Sequence, residues 1–402
     1  MTEAGTGALR SRLIAGLLMA FFYFAIWQSA LMLPDLGSEG VLVDFDAFYI
    51  VGGLVAEGRA VEAYDLSVMA GIQRGLTGQE GFMPWTYPPQ FDLLVAALPL
   101  LPRGIAYALV TGLGLTLYLW VLAQLAGRQL VPVLLALVPP IYVTLTIGQN
   151  AFVTGALMGL FALLTLKGSG RAGWPLGLLV IKPHLGIGLG VHALASGRWR
   201  VIGLALAIAV VSAGIATAVL GVQIWPAFRQ GMANAQAALA VEFYPMFRMT
   251  SVYALLHTLG VPPGLAIWLQ GAVALGACAL VALSVRRGLP LRHTLAMACF
   301  ASALVSPYLY DYDMTVLGVG LALIMGDLRA RASGVELVLL YALVWVAGGW
   351  GMIHAISTAG MSWEARAAHA RETLSYGAVA YLLLLGLGAR ILSRPLRGGV
   401  PA

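Results

Sequence analysis

Charge is what this sequence has least of. Only 10% of its 402 residues are Asp, Glu, Lys or Arg, while 60% are hydrophobic, against about 25% charged in an average soluble domain. Even a 300-residue domain leaves about a quarter of its unfolded-chain surface exposed. These residues cannot clothe such a surface, so a water-soluble fold is excluded. Cysteine is also scarce: Cys278 and Cys299 stand in apolar surroundings, with no CxxC and no Cys/His spacing to hold zinc. Both read as buried small side chains, and neither a metal nor another cofactor is expected. There is no P-loop, no dinucleotide fingerprint and no Ser/His/Asp order, which removes the chemistries those motifs carry. The net charge of +6 comes from basic residues spread in pairs between apolar segments, so nucleic acid is not a partner.

What the chain has is apolar runs. They lie near 13–33, 104–126, 130–147, 151–166, 201–224, 263–285, 294–305, 314–326, 335–353 and 374–391, each at or below the ~20 residues that cross a bilayer. The first run is too long for a cleaved signal segment and ends without an A-x-A site, so it reads as a retained transmembrane helix. Shorter pieces at 90–101, 173–181, 185–196 and 250–260 have the length of re-entrant or broken helices, which need protein or a water-filled cavity around them. The expectation is an all-α polytopic membrane protein of about 10–13 transmembrane or re-entrant helices, with residues 1–402 as one integral membrane domain and a cavity within it. Heptads and fixed-period repeats are absent, and neither end carries a soluble domain.

With the N-terminus in the cytoplasm, most of the 23 Lys and Arg fall on the cytoplasmic side, among them Arg10, Arg12, Arg128, Arg292, Arg329, Arg331 and Arg394, as the positive-inside rule asks. The acids sort more sharply: only Glu3, Asp327 and Glu336 fall on that side, out of 17. The first outer loop is then 35–89, the second outer segment 225–251 and the third 354–373. The first contains helically spaced apolar pieces and reads as short surface helices. The second is Ala-rich and bounded by aromatics suited to an interface.

Five polar stretches interrupt the apolar background: DFDAFY at 44–49, WTYPPQFD at 85–92, GQN at 148–150, IKPHLG at 181–186 and SPYLYDYD at 306–313. All five fall at the outer side of this topology. Lys182 lies inside an apolar stretch, where a charge costs at least ~2.5–3.5 kcal/mol at bilayer depth unless paired or wet. It either neutralises an acid or snorkels to headgroups, or it grips a phosphate beside the break that Pro183 imposes. Asp44 and Asp46 are candidate general bases, or caps of a loop helix beginning at Ala47. Tyr87 sits before two prolines that enforce an extended entry into the next piece. Asn150 either caps the helix running to Leu166 or contacts ligand. Asp311 reads as a cap, with Asp313 turned into the bundle. Arg248 either holds a phosphate or balances Glu242.

At these residues the chain resembles glycosyltransferase family 87, multi-spanning bacterial enzymes related to the mycobacterial phosphatidylinositol-mannoside mannosyltransferases. The likeness is carried in order by DFDAFYIVGGLVAEGRAVEAYD, YPPQFDLLVAALPLLP, GQNAFVTGALMGLFAL, GWPLGLLVIKPHLG and SPYLYDYDMTVL, from about residue 40 to 325. It implies a C-type glycosyltransferase fold, a polyprenyl-phosphate sugar donor, inversion at the anomeric carbon without a metal, and Asp44 as the catalytic base, with Asp46 at a variable position. The chain departs from the family at two points. Tyr312 and Asp313 stand where related mannosyltransferases resemble SPxSWxHH, and His184 stands where KPQ is commoner than KPH.

The expected activity is transfer of a hexose, mannose foremost, from polyprenyl phosphate to a lipid or glycan acceptor at the outer face of the cytoplasmic membrane, amid membrane lipids. Lys182 and Arg248 would hold the donor phosphate, and Tyr49, Tyr87, Gln149, Asn150, His184 and Asp313 would shape the sugar and acceptor sites. One rival is a lipid or sugar transporter, which should show paired inverted halves; none are found. The other is a pyrophosphate-donor polysaccharide ligase, for which the outer arginines are thin.

Overall fold

The computed structural model describes residues 3–32, 42–78 and 83–395. Among them the chain is all-α, and the nearest approach to a sheet is a single antiparallel bridge between Met249 and Tyr310. The N-terminal half runs α1 (Glu3–Leu31), α2 (Asp44–Ala56), α3 (Leu66–Thr77), α4 (Pro89–Val95), α5 (Arg103–Ala126), α6 (Leu130–Ala136), α7 (Val138–Ile147), α8 (Ala151–Leu166), α9 (Gly173–Leu178) and α10 (Pro183–Ala195). There follow α11 (Trp199–Leu220), α12 (Ile224–Ala240), α13 (Val252–Thr258), α14 (Pro263–Arg286), α15 (Leu291–Ser302), α16 (Val316–Arg331), α17 (Gly334–Ser357), α18 (Trp363–Glu372) and α19 (Tyr376–Leu392).

Among the described residues, six helical segments are long and apolar enough to cross a membrane: Leu9–Leu31, Arg103–Ala136, Trp199–Leu220, Pro263–Arg286, Gly334–Ser357 and Ala368–Leu392. Their outer faces carry bare apolar side chains such as Leu13, Leu17, Leu113, Val210, Trp268 and Leu275. In water this surface would aggregate; against lipid tails it is the ordinary solvent-facing surface. The polytopic all-α architecture expected from composition is therefore the one adopted. Shorter apolar helices, α7 and α8 among them, fill the space between the long ones.

Prolines set the breaks. The run 130–147 divides into α6 and α7 at Leu137, because Pro139 lacks an N–H and its ring crowds the carbonyl of residue 135. That freed Leu135 carbonyl accepts the Trp345 indole N–H at 2.9 Å, which ties α17 to the break. Pro183 opens α10 as its first residue, leaving Lys182 between two helices in a non-helical conformation.

The described part of the 35–89 stretch holds α2, a 3-10 turn at Ala60–Tyr64 and α3, the last capped by Asp65 and ended at Gly78. The 225–251 stretch holds most of α12, and within 354–373 α17 continues to Ser357 before α18 begins at Trp363.

Polar ties gather at the two ends of the bundle. At the end where α5 and α16 finish, Arg292 donates to the carbonyls of Leu125, Ala322 and Leu323, while Arg331 and His293 meet Asp327 at 2.8 Å each. Arg394 grips Glu336 with two bonds of 2.7 and 2.8 Å. The end where those helices begin holds a different set of charges.

Candidate active site

All five polar stretches, with Arg248, close on one another at that second end. Helix α2 begins at Asp44, earlier than the Ala47 start expected from sequence, so Asp44 is a first-turn residue rather than a cap. Its Oδ2 accepts the Gln149 Nε2–H at 3.0 Å. The same amide accepts, through Oε1, the Tyr87 hydroxyl at 2.8 Å and the Asn150 backbone N–H at 2.9 Å.

Gly148 makes this approach possible. It ends α7 at φ +67°, a left-handed conformation that other residues adopt only with strain, and a Cβ there would lie 2.6 Å from that of Phe45 and 2.9 Å from the Tyr107 ring. The chain can therefore turn directly against α2 and deliver Gln149 to Asp44.

Lys182, at the gap that Pro183 opens, puts Nζ 2.7 Å from Asp313 Oδ1, with both side chains almost fully buried. The ammonium also lies 5.0 Å from the Tyr312 ring centroid and 5.7 Å from that of Tyr87, within the range of cation–π attraction. Arg248 pairs with the Asp311 carboxylate at 2.9 and 3.3 Å and covers the Tyr310 ring at 5.6 Å. Its partner is thus Asp311, while Glu242 lies 3.6 Å from His257. Asp311 is also held by the backbone N–H groups of Tyr312 and Gly351, at 2.9 and 3.2 Å.

Asp44 retains partial exposure as a residue, yet protein encloses its carboxyl. Burial pushes its pKa above the ordinary 3.8, and this outweighs the lowering by Arg248, the Gln149 hydrogen bond and Lys182. A carboxylate with a raised pKa is a better proton acceptor than a free one, and the arrangement suits general-base chemistry on a hydroxyl. Nearby, Lys182 and Arg248 are cations able to meet an anionic leaving group.

Some expected residues do not join. Tyr49 turns away, and its hydroxyl donates to the Leu101 carbonyl at 3.0 Å. His184 stands on the first turn of α10 within the field of Asp313 and Lys182, and its Nε2 is enclosed without a hydrogen-bond partner. Asn150 occupies the N-cap position of α8 but makes no side-chain cap bond. It lines a separate apolar cavity.

Asp46 makes a capping contact, as one of its sequence readings expects, yet the variable position that the resemblance gives it carries no sign of its ion pair. Asp46 is fully buried, accepts the Val43 N–H at 2.8 Å, and pairs with Arg103 through two guanidinium bonds, one of 2.6 Å to Oδ1. Sequence reasoning also missed Asp92, buried and bound by the Trp85 indole at 2.8 Å and the Tyr64 hydroxyl at 2.9 Å, which fixes the stretch carrying Tyr87. Gly351 was missed as well, because its role is steric: a Cβ there would fall 2.2 Å from Asp311 Oδ2 and 2.8 Å from Arg248 Nε.

Fold and site together define a polytopic membrane protein with a buried charged cluster at one end of its helices. The model of glycosyltransferase family 87 matches residues 85–307, more than half of the chain, and the chain belongs to that family. The matched span is shorter than the likeness expected from about 40 to 325. It leaves Asp44, Asp311 and Asp313 outside, so their roles are argued from geometry. Nothing in the match singles out the phosphatidylinositol-mannoside enzymes within the family. No curated protein and no solved structure matches the chain.

Proposed function

We propose that the protein transfers a hexose, mannose foremost, from a polyprenyl-phosphate donor to a hydroxyl of a lipid or glycan acceptor, with inversion, at the outer face of the cytoplasmic membrane. The observation that carries this reading is the enclosed Asp44 carboxylate, fixed by Gln149 and within the electrostatic reach of both Lys182 and Arg248. Asp44 takes the proton of the acceptor hydroxyl as its oxygen attacks the anomeric carbon. The bond from that carbon to the phosphate oxygen breaks, and the polyprenyl phosphate leaves with the bonding electrons. A single displacement assisted by one base inverts the centre.

Lys182 and Arg248 stabilise the charge on the departing phosphate. Each is held by an acid, but an ammonium has three donors and a guanidinium five, so pairing with Asp313 and Asp311 fixes their position without consuming them. Tyr87 and His184 border the sugar. The basic residues gathered at the far end support this outward orientation, since the positive-inside rule favours such residues in the cytoplasm.

The test is transfer of labelled mannose from synthetic polyprenyl-phosphate mannose to a membrane lipid extract by the purified protein. The Asp44→Asn variant should lose transfer, and undiminished transfer would remove Asp44 from the role of base.

A further inference from the structure

Beside this site lies a cavity of about 190 Å³, walled by Phe48, Phe91, Leu94, Val110, Val153 and Ile181, with Asn150 as the polar residue among its lining. At one side it reaches the apolar exterior, since Leu94 is 61% exposed and Leu109, beside Val110, also faces outward. At the other it backs onto the charged cluster. Asn150 follows Gln149, Ile181 precedes Lys182, and the Phe48 ring meets that of Tyr87 at 5.5 Å.

The anomaly is the Asn150 side chain. The residue is 4% exposed, and neither Oδ1 nor Nδ2 has a hydrogen-bond partner. An unmet buried donor or acceptor costs roughly 1–3 kcal/mol, and the cap bond that would explain an asparagine at a helix start is not made. A purely hydrocarbon chain in this cavity would leave both atoms unmet. A hydroxyl meets both, because its O–H donates to Oδ1 and its oxygen accepts from Nδ2–H.

We infer that this cavity seats the chain of a hydroxyl-bearing acyl lipid, and that Asn150 recognises the hydroxyl at the head of that chain. This rests on the transferase reading, in which that lipid is the acceptor. A prenyl chain, apolar up to its phosphate, does not fit the requirement. Asn150 is thereby a lipid-recognition residue rather than part of the sugar site, although it adjoins the glutamine that holds the base.

The experiment uses the full chain in nanodiscs with two photoreactive probes, a monoacylglycerol and a polyprenyl monophosphate, each carrying a diazirine in its tail, with adducts mapped by mass spectrometry. The monoacylglycerol should label Phe91, Leu94 or Val153. Unlabelled monoacylglycerol should compete and polyprenyl phosphate should not. Asn150→Leu should weaken the labelling about tenfold, the loss expected for a pair of neutral hydrogen bonds, while matching or exceeding the parent in melting temperature without lipid. Val110→Phe, which fills the cavity from α5, should abolish labelling and serves if Asn150→Leu does not fold. Labelling of the same residues by the polyprenyl probe with indifference to Asn150→Leu would make the cavity a donor channel and overturn the inference. Failure of both probes to label it would do the same. Asp44→Asn should keep the labelling whatever its transfer rate, so the pocket and the base fail separately.

Discussion

Gln149 Nε2 donates to Asp44 Oδ2 at 3.0 Å, and the amide has only one orientation available for doing so. Its oxygen is occupied by the Tyr87 hydroxyl and the Asn150 N–H, so its nitrogen must face the carboxylate. The contact holds Asp44 in place and lowers a pKa that burial raises.

Replacing Gln149 by Leu should therefore do two things. The kcat/KM should fall by about 10²-fold, the scale of loss when a reacting group is misplaced by about an ångström. The acidic limb of the pH profile should also move to higher pH, because a donor favouring the ionised form has gone. A loss of activity with an unmoved limb would reduce Gln149 to a packing role.

Asp46 and Arg103 make the second prediction. Breaking a buried ion pair by removing one partner leaves a stranded charge and costs about 3–5 kcal/mol. Asp46→Asn and Arg103→Met should each lower the melting temperature in detergent strongly. The double variant should lose less than the sum of the two, which a double-mutant cycle measures.

Lys182 serves both fold and reaction, and two measurements separate these roles. Lys182→Met strands Asp313 and should be destabilised; adding Asp313→Asn should recover much of the melting temperature. The donor KM should stay elevated by about 10- to 100-fold in both, the worth of a hydrogen bond to a charged group. Recovery of donor KM along with stability would move phosphate binding elsewhere.

Gly351→Ala should disturb the site from outside the charged set, since the added methyl would collide with Asp311 and the Arg248 side chain. Donor KM should rise while Gly386→Ala, where a Cβ meets nothing within 4 Å, leaves it unchanged. Equal behaviour of the two variants would show that the Arg248–Asp311 pair is not needed for the donor.

What could be read in advance follows the range of the interactions. The membrane class, the break at Pro183 and the short helices of the first loop depend on local composition and backbone chemistry, whereas the run 130–147 reads as one piece and divides at Leu137. The convergence of Asp44, Tyr87, Gln149, Lys182 and Asp313 was visible because polar groups are so rare here that their positions stand out. Helical phase could have removed Tyr49: five residues past Asp44 it lies about 140° around the same helix. Arg103 as the partner of Asp46, Asp311 as the partner of Arg248, and the need for a bare backbone at Gly351 depend on contacts between distant segments. No local pattern carries them.

The pH behaviour of Asp44 gives the base assignment its sharpest edge. Its native pKa is raised by burial above the ordinary 3.8. Between those two values the native state holds a proton that the unfolded state has released. The contribution of Asp44 to stability is thus most favourable at low pH and falls as pH rises through that window. At pH values above that window the raised pKa is a net stability cost, so Asp44→Asn should melt no lower than the parent. The decisive measurement is single-turnover transfer of mannose from polyprenyl-phosphate mannose by purified parent and Asp44→Asn proteins, with donor binding and melting temperature recorded alongside. The account predicts a transfer rate reduced by at least about 10²-fold, the usual worth of a positioned general base, with donor affinity and melting temperature kept. Transfer at the parental rate by a folded, donor-binding Asp44→Asn protein would contradict it.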